Sequence, residues 1–168
     1  VVGIILTATR IFDAITDPLI ALILDKMNTR FGKLRIMIGI GWIIEAFSVK
    51  LMFDWASGKG HGLGMFVLVY LLYVVGYTMQ NVTGQIISPT LTNDPKQRPV
   101  VGVWSTVFSY LVPTIYTLVI NLVLLPKYNN EFSVPMLAET STLCVVMSFI
   151  LLVLVFIGVS GVDKPENF

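Results

Sequence analysis

Arg10, Asp13 and Asp17 stand at i, i+3 and i+7 inside an apolar run flanked by Val-Val-Gly-Ile-Ile-Leu and Leu-Ile-Ala-Leu-Ile-Leu. On a helix the three share one face. Two carboxylates at i, i+4 lie about 6 Å apart along the axis. In a poorly solvated site both stay ionised only beside a positive charge. A bound Na+, a shared proton or Arg10 could each supply it. Hard cations such as Ca2+ and Mg2+ take oxygen ligands, a preference extended here to Na+. Asp13, Asp17, the Thr16 hydroxyl and the Thr78 hydroxyl of a facing helix offer such oxygens. Pro18 removes a backbone hydrogen bond and frees a carbonyl of the preceding turn as one more. The other chemistry open to this spacing is a structural Arg–Asp pair that holds helices together.

A second set lies on a later apolar segment. Tyr77, Asn81, Gln85 and Ser88 recur at i, i+4, i+8 and i+11, a polar stripe on one helix face. Such groups can hydrogen-bond the hydroxyls of a solute, or they can join helices at about 0.6 kcal/mol per pair. Lys50 and Asp54 are spaced i, i+4 near a segment end, where a lysine reaches the interface. Glu45 falls near mid-segment, as an additional proton carrier or as the partner of a residue elsewhere in the protein. Cys144 is the only cysteine, which excludes a disulfide framework and a Cys-rich metal site; it reads as a small buried hydrophobe. His61 is the only histidine, and no nucleophile–His pairing or metal cluster points to an enzyme.

The elements that must position these residues are membrane helices. The chain has 168 residues, 55% hydrophobic and 12% charged, with mean hydropathy +0.83. A soluble domain carries about 25% charged residues. The net charge of +1 argues against a nucleic-acid partner. Five apolar segments, at about 1–25, 36–55, 63–91, 100–125 and 136–161, each meet the roughly 20 residues a helix needs to cross hydrocarbon. The gaps are short and polar, so the chain is expected to form a single transmembrane bundle over 1–168.

Charge sets the orientation. Lys26, Arg30, Lys33, Arg35, Lys96, Arg98 and Lys164 fall on one side, against Lys59 and Lys127 on the other. The first loop is therefore expected to be cytoplasmic. A chain entering from the outer side in mid-run, without an initiator Met, is expected to lack a preceding helix. It has no signal-peptide n-region or small-residue cleavage site.

Two stretches carry a family resemblance. Arg10-x-x-Asp13-Ala-x-Thr16-Asp17-Pro18, followed by Asp25-Lys26 and Arg30-Phe-Gly-Lys33, resembles the second helix and following loop of the glycoside–pentoside–hexuronide:cation symporters. These are the melibiose-permease relatives within the major facilitator superfamily. Gly76-Tyr77-Thr78, then Ser88-Pro89-x-Leu91-Thr-x-Asp94-x-x-x-Arg98, is similar to the end of that family's fourth helix and its next cytoplasmic loop. The resemblance covers nearly the whole chain and implies helices two to six of a twelve-helix, all-α bundle, the N-terminal half lacking its first helix.

The resemblance further implies that Asp13, Thr16, Asp17 and Thr78 form the coupling-cation site, for Na+, Li+ or H+, with no other cofactor. It places Tyr77, Asn81, Gln85 and Thr106 at the substrate site, with departures. The melibiose branch has an aspartate at the position of Asn81, a tryptophan at Gln85 and an arginine near Thr106. Arg10, Pro18, Asp25, Arg30 and Lys33 are implied in structure and gating. The loop Asp25-Lys26, Arg30, Gly32, Lys33 resembles the superfamily's cytoplasmic loop signature, with Ala21 where that signature has Gly. The expected function is cation-coupled symport of a sugar, glycoside or related small polar solute at the cell membrane. The bilayer and the remainder of the same transporter would be its partners. The alternative from a different class is a non-transporting membrane sensor built on the same helices.

Overall fold

In hydrocarbon no water is present to satisfy backbone N–H and C=O groups, so an apolar run of this length folds into a helix. The structure, a computed structural model, describes residues 2–27, 29, 31–56, 60, 62–92 and 94–163. Helix α1 is Val2–Lys26 and α2 is Lys33–Lys50, which runs on through a π-helical stretch, Leu51–Ala56. Helix α3 is Gly62–Thr90. Helix α4, Arg98–Val119, passes through a second π-helical stretch, Ile120–Leu124, into the short α5, Leu125–Lys127; α6 is Val134–Val159. The five long helices coincide with the five apolar runs to within a few residues at each end.

Four spans, Lys33–Trp55, Gly62–Ile87, Arg98–Lys127 and Val134–Val159, are long and apolar enough to cross a membrane. At 25 residues α1 has the length, but Arg10, Asp13 and Asp17 occupy its middle and keep it out of that class. The expectation of five crossing segments is thus met by apolar composition in four. The exception is the helix whose charges first marked it as functional.

Local signals explain where elements start and turn. Ser133 caps α6, its hydroxyl accepting from the Met136 amide at 3.4 Å, with a proline in the first turn. After α5, Asn129 and Asn130 take φ of 55° and 60°, the left-handed region that asparagine tolerates best after glycine. Lys50 Nζ meets Asp54 Oδ2 at 2.6 Å, the local pair its spacing predicted, and also donates to Thr142 of α6.

Helix α3 is the centre of the packing: α2 lies against it most extensively and α1 next, while α6 packs on the other side of α2. Helices α2 and α3 cross at two glycines. A Cβ on Gly76 would stand 2.8 Å from both the Gly41 carbonyl oxygen and the Glu45 amide nitrogen. Small residues at such crossings let backbones approach closely. Helix α4 contributes no buried residue.

The core cluster of Ile20, Leu24, Leu34, Met37 and Val159 joins the ends of α1 and α6 to the start of α2. The 26–35 connection and the end of α6 therefore lie on one side, as the charge distribution predicted. Elsewhere large apolar side chains such as Ile43, Leu122 and Ile157 face outward, a surface suited to lipid.

Gly76→Ala is expected to destabilise the protein by about 1–3 kcal/mol, the usual cost of overpacking, because the added carbon meets backbone. Gly39→Ala is the control: its Cβ would meet only the ring of Phe156, at 3.1 Å, which can swing aside. Thermal unfolding in detergent checks this, and equal losses in both variants would mean the α2–α3 crossing is not the tight one.

Candidate functional site

Helix α1 presents its charged residues unequally. Arg10 Nη1 lies 3.8 Å from Asp13 Oδ2, with the Arg10 side chain 87% exposed and that of Asp13 26%. The other Asp13 oxygen, Oδ1, is buried without a hydrogen-bond partner. One turn on, the Thr16 hydroxyl donates to the Phe12 carbonyl at 3.0 Å, which leaves its oxygen lone pairs available. Asp17 and Pro18 are exposed. The chain remains helical through Pro18, whose missing N–H leaves the Ala14 carbonyl without its usual donor. Thr78 is 1% exposed on α3, the helix against which α1 packs. The two aspartates therefore differ: one is half-buried with an orphan oxygen, the other open.

The predicted substrate residues come together. Tyr77, Asn81 and Gln85 line one open cavity of about 540 Å³, with Glu45, Gln80, Gly84 and Ser105. Thr106 is not among its lining residues; its hydroxyl donates to the Gly102 carbonyl of its own helix at 2.9 Å. The neighbouring Ser105 is what α4 contributes. Ser88 lies outside the described side chains.

Two arrangements around this site were not found from sequence: a row of tyrosines, of which Tyr77 lines this cavity while Tyr70 and Tyr73 line a separate one, and the place of Glu45 in the cavity. Tyr70, Tyr73 and Tyr77 form a stacked row along α3, with ring centroids 6.0 and 6.4 Å apart; their i, i+3, i+7 spacing was the available signal. Glu45 lines the cavity from α2 and accepts a hydrogen bond from the Gln80 amide. Glu45 and Gln80 also line a smaller cavity of about 280 Å³ between α2, α3 and α6, beside Trp42, whose indole N–H donates to Ser148 at 3.0 Å.

Cys144 corrects an expectation. It is exposed, not buried, and helps to line a largely apolar cavity of about 550 Å³ among α2, α3, α4 and α6.

Of the expected gating residues, Asp25 is exposed and Lys33 half-buried at the start of α2, and Arg30 lies outside the described residues; His61, for which no gating role was expected, lies outside them too. The strongest contact at this end involves a residue that sequence did not single out. Asp163, 2% exposed, follows α6, and its carboxylate accepts from the Leu34 and Arg35 amides at 3.2 and 3.0 Å. Arg35 Nε stands 3.4 Å from the same group. An anion thus satisfies the free N–H groups at the start of α2, a helix with no side-chain cap of its own.

Long apolar helices, charges held on one helix face and a polar cavity in the bundle together define a multi-pass membrane protein of the transport class. The chain belongs to the MFS/sugar transport protein family, whose model matches residues 1–167. This is a family of transporters, not of enzymes. The chain is 30% identical over 105 residues to the Escherichia coli (strain K12) protein named as glycoside/cation symporter YagG, covering 62% of this chain and 23% of that one. It is 26% identical over 99 residues to a lactose permease of Lactobacillus helveticus, covering 56% and 16%. With the inner membrane symporter YicJ of E. coli (strain K12) it shares 28% over 109 residues, covering 64% and 24%. The matched stretch thus spans a quarter or less of the length of these relatives. No solved structure matches the chain.

Proposed function

We propose that this chain belongs to a cation-coupled symporter that carries a sugar, glycoside or related small polar solute across the cell membrane. Such transporters bind ion and solute near the midplane and alternate access by rocking one bundle against another. The observation that carries this reading is the cavity in which Tyr77, Asn81 and Gln85 converge. Its amide and hydroxyl groups match the donors and acceptors of sugar hydroxyls, and the Tyr77 ring offers an apolar face for a sugar ring. Ser105 takes the position expected of Thr106.

The coupling ion, Na+, Li+ or H+, is assigned to Asp13, Thr16, Asp17 and Thr78. A buried acceptor without a partner is costly, and Asp13 Oδ1 is one; a cation or proton would relieve it. Arg10 and Pro18 shape this face, while Asp25, Arg30 and Lys33 bias the equilibrium between open and closed forms.

The test is uptake of neutral glycosides by membrane vesicles carrying the full-length protein, with and without Na+ and with an imposed proton gradient. Asn81→Leu and Gln85→Leu are each expected to weaken solute binding about fivefold, the equivalent of one hydrogen bond, and to leave cation binding intact. Unchanged solute affinity in both variants would return the stripe to helix packing.

A further inference from the structure

We infer that Glu45 is the anchor of the solute cavity, and that its charge restricts the solute to neutral or cationic glycosides and rejects hexuronides. This deepens the proposed function and rests on it.

The position of Glu45 follows from the glycine crossing. Gly41 and Gly76 bring α2 so close to α3 that the Glu45 backbone itself touches the Gly76 position. The carboxylate then reaches the row of polar residues on α3. Gln80 donates to one of its oxygens. A carboxylate offers about four acceptor sites, so this neutral donor leaves capacity for a ligand.

Among the described residues no lysine, arginine or histidine lines this cavity. Among the described residues the ion pairs are Arg10–Asp13, Arg35–Asp163, Lys50–Asp54 and Lys127–Glu139, and none of them involves Glu45. Among the described residues the cavity therefore carries one carboxylate, Glu45, lined otherwise by neutral groups. Adjacent sugar hydroxyls can donate to that carboxylate in charge-assisted bonds, which are stronger than neutral ones. Asn81, Gln85 and Tyr77 can serve the remaining hydroxyls. A solute that carries its own carboxylate meets a like charge on the cavity wall, and such a juxtaposition opposes binding.

The experiment compares sugars that differ only in oxidation at the terminal carbon, bound to the full-length protein in detergent by calorimetry. The probes are methyl β-glucoside with methyl β-glucuronide, and methyl β-galactoside with methyl β-galacturonide. The neutral member of at least one pair is expected to bind at least about tenfold more tightly. Glu45→Gln should weaken the neutral ligand about tenfold and narrow the gap to about threefold, while Glu45→Asp retains the preference. Wild-type protein that binds a uronide as well as its neutral partner overturns the inference, whether or not Glu45→Gln folds. A folded Glu45→Gln variant with the preference intact overturns it too. Binding of none of the four sugars overturns the proposed solute class, and the inference with it.

Discussion

Asp13→Asn is expected to abolish cation-driven accumulation of solute by the full-length protein, and Asp17→Asn to reduce it severely, while downhill exchange survives in part. Coupling requires ion and solute to stabilise one another's bound state, so loss of the ion site removes the linkage before it removes solute binding. The ranking follows from the geometry. Asp13 is half-buried, and its Oδ1 is without a partner; Asp17 is exposed. The competing role, a structural pair with Arg10, is weak on the same grounds. The 3.8 Å contact is an i, i+3 pair within α1, made by an Arg10 side chain that is 87% exposed, so it joins α1 to no other helix. If that pair were nevertheless the purpose of the charges, both variants would lose thermal stability. The charge-free combination Arg10→Gln, Asp13→Asn, Asp17→Asn would then recover much of the loss. The measurement is the Na+ and pH dependence of solute affinity and accumulation in wild type, the two single variants and the triple. Retained ion stimulation in both single variants would end the cation-site proposal and leave the structural pair.

What the sequence made legible was local or periodic. The five helices could be read because hydrocarbon permits the backbone little else, and the shared side of the first connection and the end of α6 because lysines and arginines collect there. The Lys50–Asp54 pair and the shared face of Tyr77, Asn81 and Gln85 depend only on helical spacing. Contacts between helices were not legible. Glu45 enters the cavity because two glycines, Gly41 and Gly76, set the distance between α2 and α3, and neither glycine announces its partner. Ser105 rather than Thr106 lines the cavity because of how α4 is rotated, which a one-residue shift in sequence cannot reveal. Cys144 was expected inside by its hydrophobicity, yet it is exposed on the wall of a cavity among four helices. Asp163 reaches Leu34 and Arg35 across separations of 129 and 128 residues, far beyond any local signal.

That long-range cap yields the second large effect. Asp163→Ala is expected to cost about 3 kcal/mol, because removing one side of a buried charge contact leaves the other side unsatisfied. The groups left are the Leu34 and Arg35 amides and the Arg35 guanidinium. Gly32→Ala should cost as much by a different route. Gly32 has φ of 88°, and a Cβ there would fall 2.0 Å from Asp163 Oδ2, so the methyl must displace the carboxylate. Left-handed backbone adds about 1–2 kcal/mol for any residue with a Cβ. The two substitutions break the same contact, so their effects should not add. In an Asp163→Ala background the clash is gone, and Gly32→Ala should then cost only the backbone strain. The shortfall from additivity measures the coupling between the two positions. Thermal or denaturant unfolding of the four proteins in detergent supplies the cycle. Additive losses would mean that Gly32 is needed for its own turn alone, and that Asp163 does not hold the end of α6 to the start of α2 through it.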